Sequence, residues 1–186
     1  MKNGINEVYS YLKQFKELYG CDVIIDLDKS SNSYYQKNAI YNKKKSINSF
    51  ENEINHCQKC YIAHDRTNFV FGTGDPDADL FIVGEAPGRQ EDLHGVPFIG
   101  QAGKLLDNML NFIGLNRKTN FYITNIVFWR PPGNRTPTKS EINTCLPITK
   151  SHIKIFKPKL LIFLGNVATK SLLKTEEGIS KLRGKK

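Results

Sequence analysis

The sequence predicts an α/β fold with three layers, α/β/α, around a central parallel sheet. Three observations carry that reading. Short apolar runs rich in β-branched and aromatic residues occur at 80–83, 120–127 and 160–164, as buried strands require. Helical periodicity fills the intervals between them: Ala102, Leu105, Leu106, Met109, Leu110 and Ile113 follow the first run, and residues 139–156 follow the second. The first and third runs both stop at a glycine, Gly84 and Gly165. Strands alternating with helices imply a parallel sheet with right-handed crossovers. All three carboxyl ends then share one edge, and ligands bind at such edges.

Taken in order, residues 5–19 place Ile5, Val8, Tyr9, Leu12, Phe15 and Leu18 on one helical face that ends near Gly20. Residues 21–25 read as a strand or an extended arm. Residues 30–45 are polar, without periodicity, and read as a linker. Ser46 is a candidate N-cap for a second short helix that reaches Asn55. The chain therefore divides into an N-terminal helix and linker, 1–50, and an α/β domain, 51–186. Residues 69–74 read as a short edge strand entering the turn Asp75-Pro76. After the strand at 80–83, Gly84-Glu85-Ala86-Pro87-Gly88 forces a tight turn, with a polar loop beyond it. The loop over 129–138 cannot be helical, because prolines and a glycine punctuate it. Helices are expected at 139–156 and 166–173.

Lys and Arg number 27 against 18 Asp and Glu, a formal charge of +9 with a pI near 9.3. That balance favours a polyanionic partner, nucleic acid first, although lysines also decorate any solvated face. No apolar run approaches the ~18 residues that span a bilayer, and the N-terminus has no apolar leader core. The expected compartment is the cytoplasm, where thiols stay reduced. The 4 cysteines are then ligands or bystanders rather than disulfides. Cys57-Gln58-Lys59-Cys60 lets two thiolates face one zinc or iron–sulfur centre. His56 and His64 flank it, Cys145 is a distant candidate ligand, and Cys21 lies in an apolar run that suits a packed cysteine.

The turn after the first strand carries Glu85, Glu91, Asp92 and His94 beside one aromatic, Phe98. A purely structural turn with solvated acids would look similar. The shared sheet edge should also collect Gly84, Asn125, Gly165 and Asn166. Arg130 and Arg135, in the rigid loop, suit phosphate contacts. A carboxylate, an amide, an aromatic face and flanking arginines suit a planar polar base on a phosphate backbone.

VGEAPG, QED, GVPFIG, AGKLLD, TNIVFWRPPGNRTPT, PKLLIFLG and GISKLRG occur in that order. Over roughly 57–184 the chain resembles the family 4 (iron–sulfur) uracil-DNA glycosylases. The resemblance implies hydrolysis of the N-glycosidic bond of a flipped-out uracil, the first step of base excision repair, by a monomer acting on DNA. By it, Phe98 stacks on the uracil and Asn125 hydrogen-bonds the polar edge. Gly84, Glu85 and Ala86 hold the attacking water and contact the base. Glu85 and Asn125 are catalytic, Glu91 and Asp92 are the acidic pair at the substrate, and Arg130 and Arg135 hold the DNA.

Two departures accompany the resemblance. The family's 4Fe–4S cluster uses four cysteines; Cys57, Cys60 and Cys145 match three of them, and Trp129 stands at the remaining position. A cluster, zinc or no metal are all open, with Trp129 as an apolar filler in the last case. Family members also continue past the position of Lys186 into a further strand, a histidine–proline motif and a closing helix. The resemblance therefore implies a truncated domain lacking its C-terminal strand and helix, with weak or absent catalysis. None of His56, His64, His94 and His152 matches the motif's histidine, and each is expected on a surface or a helix, with His94 the one worth testing. An inactive DNA-binding domain or a metal-bound structural domain is the alternative.

Overall fold

The computed structural model describes residues 47–182 apart from 53, 56–59 and 65. The expected helix at 5–19, the segment 21–25, the linker at 30–45, and Cys21, His56 and Cys57 lie outside the described residues. The short second helix is present over 47–52 and 54–55.

The sheet has four strands in the order β1-β3-β2-β4: β1 (Thr73–Gly74), β2 (Leu80–Gly84), β3 (Phe121–Asn125) and β4 (Leu160–Phe163). β2 lies between β3 and β4, parallel to both, with Leu80 level with Phe121 and Leu160. Every residue of β2 and β3 is buried, which is why their sequences are apolar without alternation. The expected edge strand at 69–74 shrinks to β1, and it pairs antiparallel with β3. The sheet is therefore parallel in its three long strands and mixed at one edge. The connection over 75–79 is far shorter than the dozen residues a parallel crossover needs.

Successive strand residues serve opposite faces. Leu80, Ile82, Phe121, Ile123, Leu160 and Ile162 pack with Leu110 and Leu115. Phe81, Val83, Tyr122 and Phe163 pack with Cys145, Phe156 and Ala168. The first face is covered by α2 (Gln101–Phe112) and the segment after it. The second is covered by α3 (Lys139–Phe156) and α4 (Asn166–Leu173). The three layers are thus observed. α3 begins at the expected place because Thr138 Oγ1 accepts from Glu141 N while Glu141 accepts from Thr138 N at 2.7 Å, a capping box. A further short helix, α5, covers Ile179–Leu182.

Two sequence expectations change and one is narrowed. The polar loop after Gly88 is partly helical: α1 spans Arg89–His94, started by Gly88 N donating to Glu91 and stopped by Gly95 at φ 71°. The apolar stripe of α2 is narrower than expected. Leu106 and Leu110 reach the sheet, whereas Leu105 is 61% exposed. Ala102, Leu105 and Met109 form a neighbouring stripe that turns away, so two adjacent stripes had merged in the periodicity. Of the two settings expected for His152, a surface or a helix, the helix is found, and the residue faces the core from α3. Its ring lies flat on Phe71, with centroids 4.2 Å apart, and Phe81, Tyr122 and Phe156 enclose it.

Neither ring nitrogen of His152 has a hydrogen-bond partner among the described residues. Burial therefore disfavours the imidazolium and lowers its pKa from 6.5 to about 3. The unfolded chain binds this proton near pH 6.5 and the fold only near pH 3. Stability is full above the first value and falls as pH drops through that window, by up to ~1.4 kcal/mol per pH unit. Urea unfolding at stepped pH should show this acid limb, and His152→Phe should flatten it.

Candidate active site

β2 and β3 end level with one another, Gly84 opposite Asn125. The ladder runs one step further, with Ile126 N donating to Gly84 O at 2.9 Å and Val127 N to Glu85 O at 3.1 Å. These bonds fix the turn at 84–86 against the end of β3. Above this edge lies a cavity of about 350 Å³, at the small end of the range for ligand sites. Its lining comes from the 86–91 turn and α1, the 98–103 entry to α2, Asn125 and Asn134.

Gly84 decides what the site can hold together. A Cβ there would run into the Phe98 ring and lie 2.7 Å from Asn125 Oδ1. Without it, the aromatic ring and the amide oxygen share one small space. Asn125 is 1% exposed, and its Oδ1 has no partner among the described residues. A buried acceptor left unpaired costs about 1–3 kcal/mol, so this oxygen is held ready for a donor that none of the described residues supplies.

The acids of the turn do structural work. Glu91 lines the cavity, and its Oε1 accepts from Ile99 N at 3.0 Å and Gly100 N at 2.8 Å. Its Oε2 accepts from Gly88 N at 3.1 Å. One carboxylate thereby joins the beginnings of α1 and α2, and both helix starts border the cavity. Asp92, expected beside it at the substrate, is turned away. Its Oδ1 accepts from Thr67 N at 2.9 Å and Asn68 N at 3.3 Å, and it does not line the cavity. Successive helix positions diverge by ~100°, so two neighbouring acids on α1 cannot face one site. Glu85 is half-buried at the end of β2, beside the cavity rather than among its lining residues.

The arginines also separate. Arg130 Nε donates to Asn134 Oδ1 at 2.6 Å, and Asn134 reaches the cavity. Arg135, expected on DNA, grips the buried Glu141 through Nη1 at 2.9 Å and Nη2 at 2.6 Å. Its first role is to tie the proline-rich loop to the start of α3. His94 is exposed at the end of α1, with Nδ1 2.8 Å from Gln90 O, away from the cavity. Gly165 caps α4, and Asn166 Oδ1 accepts from Ile179 N, so neither joins the site. Gly100, Gly103 and Asn134 went unread in the sequence. The Gly100-x-x-Gly103 spacing at a helix start was the available signal of close backbone approach.

A family model of the uracil DNA glycosylase superfamily matches residues 71–185. The chain belongs to the uracil-DNA glycosylase superfamily. It is 40% identical over 144 residues to the type-4 uracil-DNA glycosylase of Archaeoglobus fulgidus, covering 75% of this chain and 72% of the relative. The type-4 enzyme of Sulfurisphaera tokodaii is 43% identical over 145 residues, 75% of this chain and 66% of its own. That of Thermotoga maritima is 36% identical over 146 residues, 78% and 76% of the two chains. Among the described residues, no helix is long and apolar enough to cross a membrane.

The cluster implied by the family resemblance can be tested against the residues that face one another. Cys60 and Cys145 are buried in the same core cluster as Trp129. Among the described residues, no group of three potential ligands converges. Trp129 is fully buried, 5.9 Å from Phe69 and 6.3 Å from Phe128, with the Arg66 guanidinium 5.5 Å from its ring. An indole is a donor only and cannot replace a thiolate. Trp129 therefore does not fit the place of a ligand in four-cysteine ligation of a 4Fe–4S cluster.

Two outcomes follow from this packing. Glu91→Ala should cost about 2 kcal/mol of unfolding free energy, because three backbone donors lose a charged acceptor; urea denaturation measures it. Trp129→Cys should raise the iron and acid-labile sulfide content per chain above that of the parent protein.

Proposed function

We propose that this chain is a uracil-DNA glycosylase acting as a monomer on a uracil flipped out of DNA. The observation that carries the reading is the unpartnered Asn125 Oδ1 beside the Phe98 ring. An aromatic face suits any base, but a lone acceptor selects. Uracil offers an N3–H donor there, whereas cytosine offers an acceptor, and that mismatch leaves two lone pairs opposed.

The chemistry is a displacement at C1′ of the sugar. The N1–C1′ bond breaks and its electron pair stays on uracil N1. Water oxygen bonds to C1′, and the water proton passes to solvent. Negative charge on the departing uracil is favoured by the Asn125 amide, since the backbone donors at Gly88 and Gly100 are already taken by Glu91. Positive charge on the sugar is favoured by the Glu85 carboxylate and by the DNA phosphates. Gly84, Glu85 and Ala86 form the turn that holds the water. Glu91 shapes the base pocket as a strut, and Asp92 ties α1 to the backbone of Thr67 and Asn68. Arg130, steadied by Asn134, contacts phosphate, and Arg135 holds the loop that presents it. Any metal held by Cys57, Cys60 and Cys145 would be structural, and no step of this chemistry runs through it.

A single-stranded oligonucleotide carrying one deoxyuridine should acquire an abasic site, read as strand scission in alkali. The matching cytosine oligonucleotide should stay intact. Asn125→Ala should lower kcat/KM about 100-fold or more, the scale of losing one polar group aimed at developing charge. Phe98→Ala should lower it about tenfold, as loss of one base stack does. Binding of DNA without scission by the parent chain would mark it as a DNA-binding domain instead.

A further inference from the structure

We infer that Arg117, anchored by Asp107, is a positioning residue that sets the Phe98 ring for base stacking. The inference rests on the uracil-binding reading above. Arg117 lies between α2 and β3 and does not line the cavity. Its Nη1 donates to Pro97 O at 2.6 Å and its Nη2 to Phe98 O at 2.8 Å. The same guanidinium meets Asp107 of α2, Nε to Oδ1 at 3.2 Å and Nη2 to Oδ1 and Oδ2 at 2.8 and 3.0 Å. The Arg117 side chain is 16% exposed, so these bonds are shielded from bulk water.

The clamp acts where the backbone needs it. Phe98 has φ 56°, the left-handed region that a bulky L-residue rarely adopts. Its carbonyl rests against Gly103, where a Cβ would occupy the place of the carbonyl itself. Two consecutive carbonyls are thus fixed by one planar fork, with Gly103 as the opposing wall. That conformation is what lays the ring over Gly84 and next to Asn125 Oδ1. A lysine cannot reproduce the fork, because a single ammonium cannot hold two carbonyls and both carboxylate oxygens in one plane.

The test is equilibrium binding of a uracil-containing single-stranded oligonucleotide and its cytosine counterpart, the base that the Asn125 acceptor rejects, read as the ratio of the two affinities. General loss of stability weakens both and leaves the ratio unmoved. Arg117→Gln should lower the uracil preference about tenfold, a difference of ~1.4 kcal/mol, and Arg117→Lys should not restore it. The double variant Phe98→Ala/Arg117→Gln should match Phe98→Ala alone, since Arg117 acts through that ring. An unchanged ratio in Arg117→Gln, or losses in the double variant that multiply, would overturn the inference while leaving the functional reading intact. No uracil preference in the parent chain, or none lost in Phe98→Ala, would overturn the functional reading and this inference with it. Should Arg117→Gln melt below the assay temperature, Asp107→Asn keeps the bonds to both carbonyls and loosens their anchor. It should lower the ratio about threefold by the same conversion, and an unchanged ratio there overturns the inference equally.

Discussion

Parallel pairing of β2 with β3, in a register that levels Gly84 with Asn125, is the constraint on which the site depends. A shift by one residue would turn Asn125 to the other face of the sheet and send its amide into a helix layer. The register is held from both sides. Phe81 and Val83 pack into one apolar layer and Leu80 and Ile82 into the other. A slip would force each set into a layer shaped for the other. The backbone bonds beyond the strands then carry the alignment into the turn that holds Glu85.

Acidic residues near the cavity divide between chemistry and construction. Glu91 and Asp92 spend their oxygens on backbone donors, and Glu141 spends its oxygens on Arg135 and on the start of α3. Such carboxylates replace the partners that helix starts and loops lack. They allow two short helices and a proline-rich loop to meet around a small space with few apolar contacts. Glu85 alone of the acids over 85–92 makes no such bond among the described residues, and it sits where the strand ends.

The fold was legible because its strands are continuous apolar runs and its helices have periodic ones. β2, β3, β4, α3 and α4 stand within a residue or two of where their patterns put them. α1 was hidden because six residues are too few to show a period, and its start depends on a glutamate reaching back to a glycine. In the site, Phe98 and Asn125, singled out by chemistry and by family resemblance, come together at the cavity. Asp92 was misread, because adjacency in sequence says nothing about which way a helix turns its side chains. His152, expected on a surface or a helix, lies on α3; its enclosure by aromatic rings comes from tertiary packing and leaves no local pattern. Arg117 and Asp107 left no local pattern, being ten positions apart and joined only when the fold brings the guanidinium to the carboxylate.

The lone Asn125 oxygen has a consequence beyond recognition. An apolar residue of similar size would remove an unmet polar group from the interior and make the empty protein more stable. The position therefore sets resistance to unfolding against activity. Selection for thermal robustness alone would tend to erase it. A ligand that supplies the missing donor would return that stability and raise the melting temperature in proportion to its occupancy.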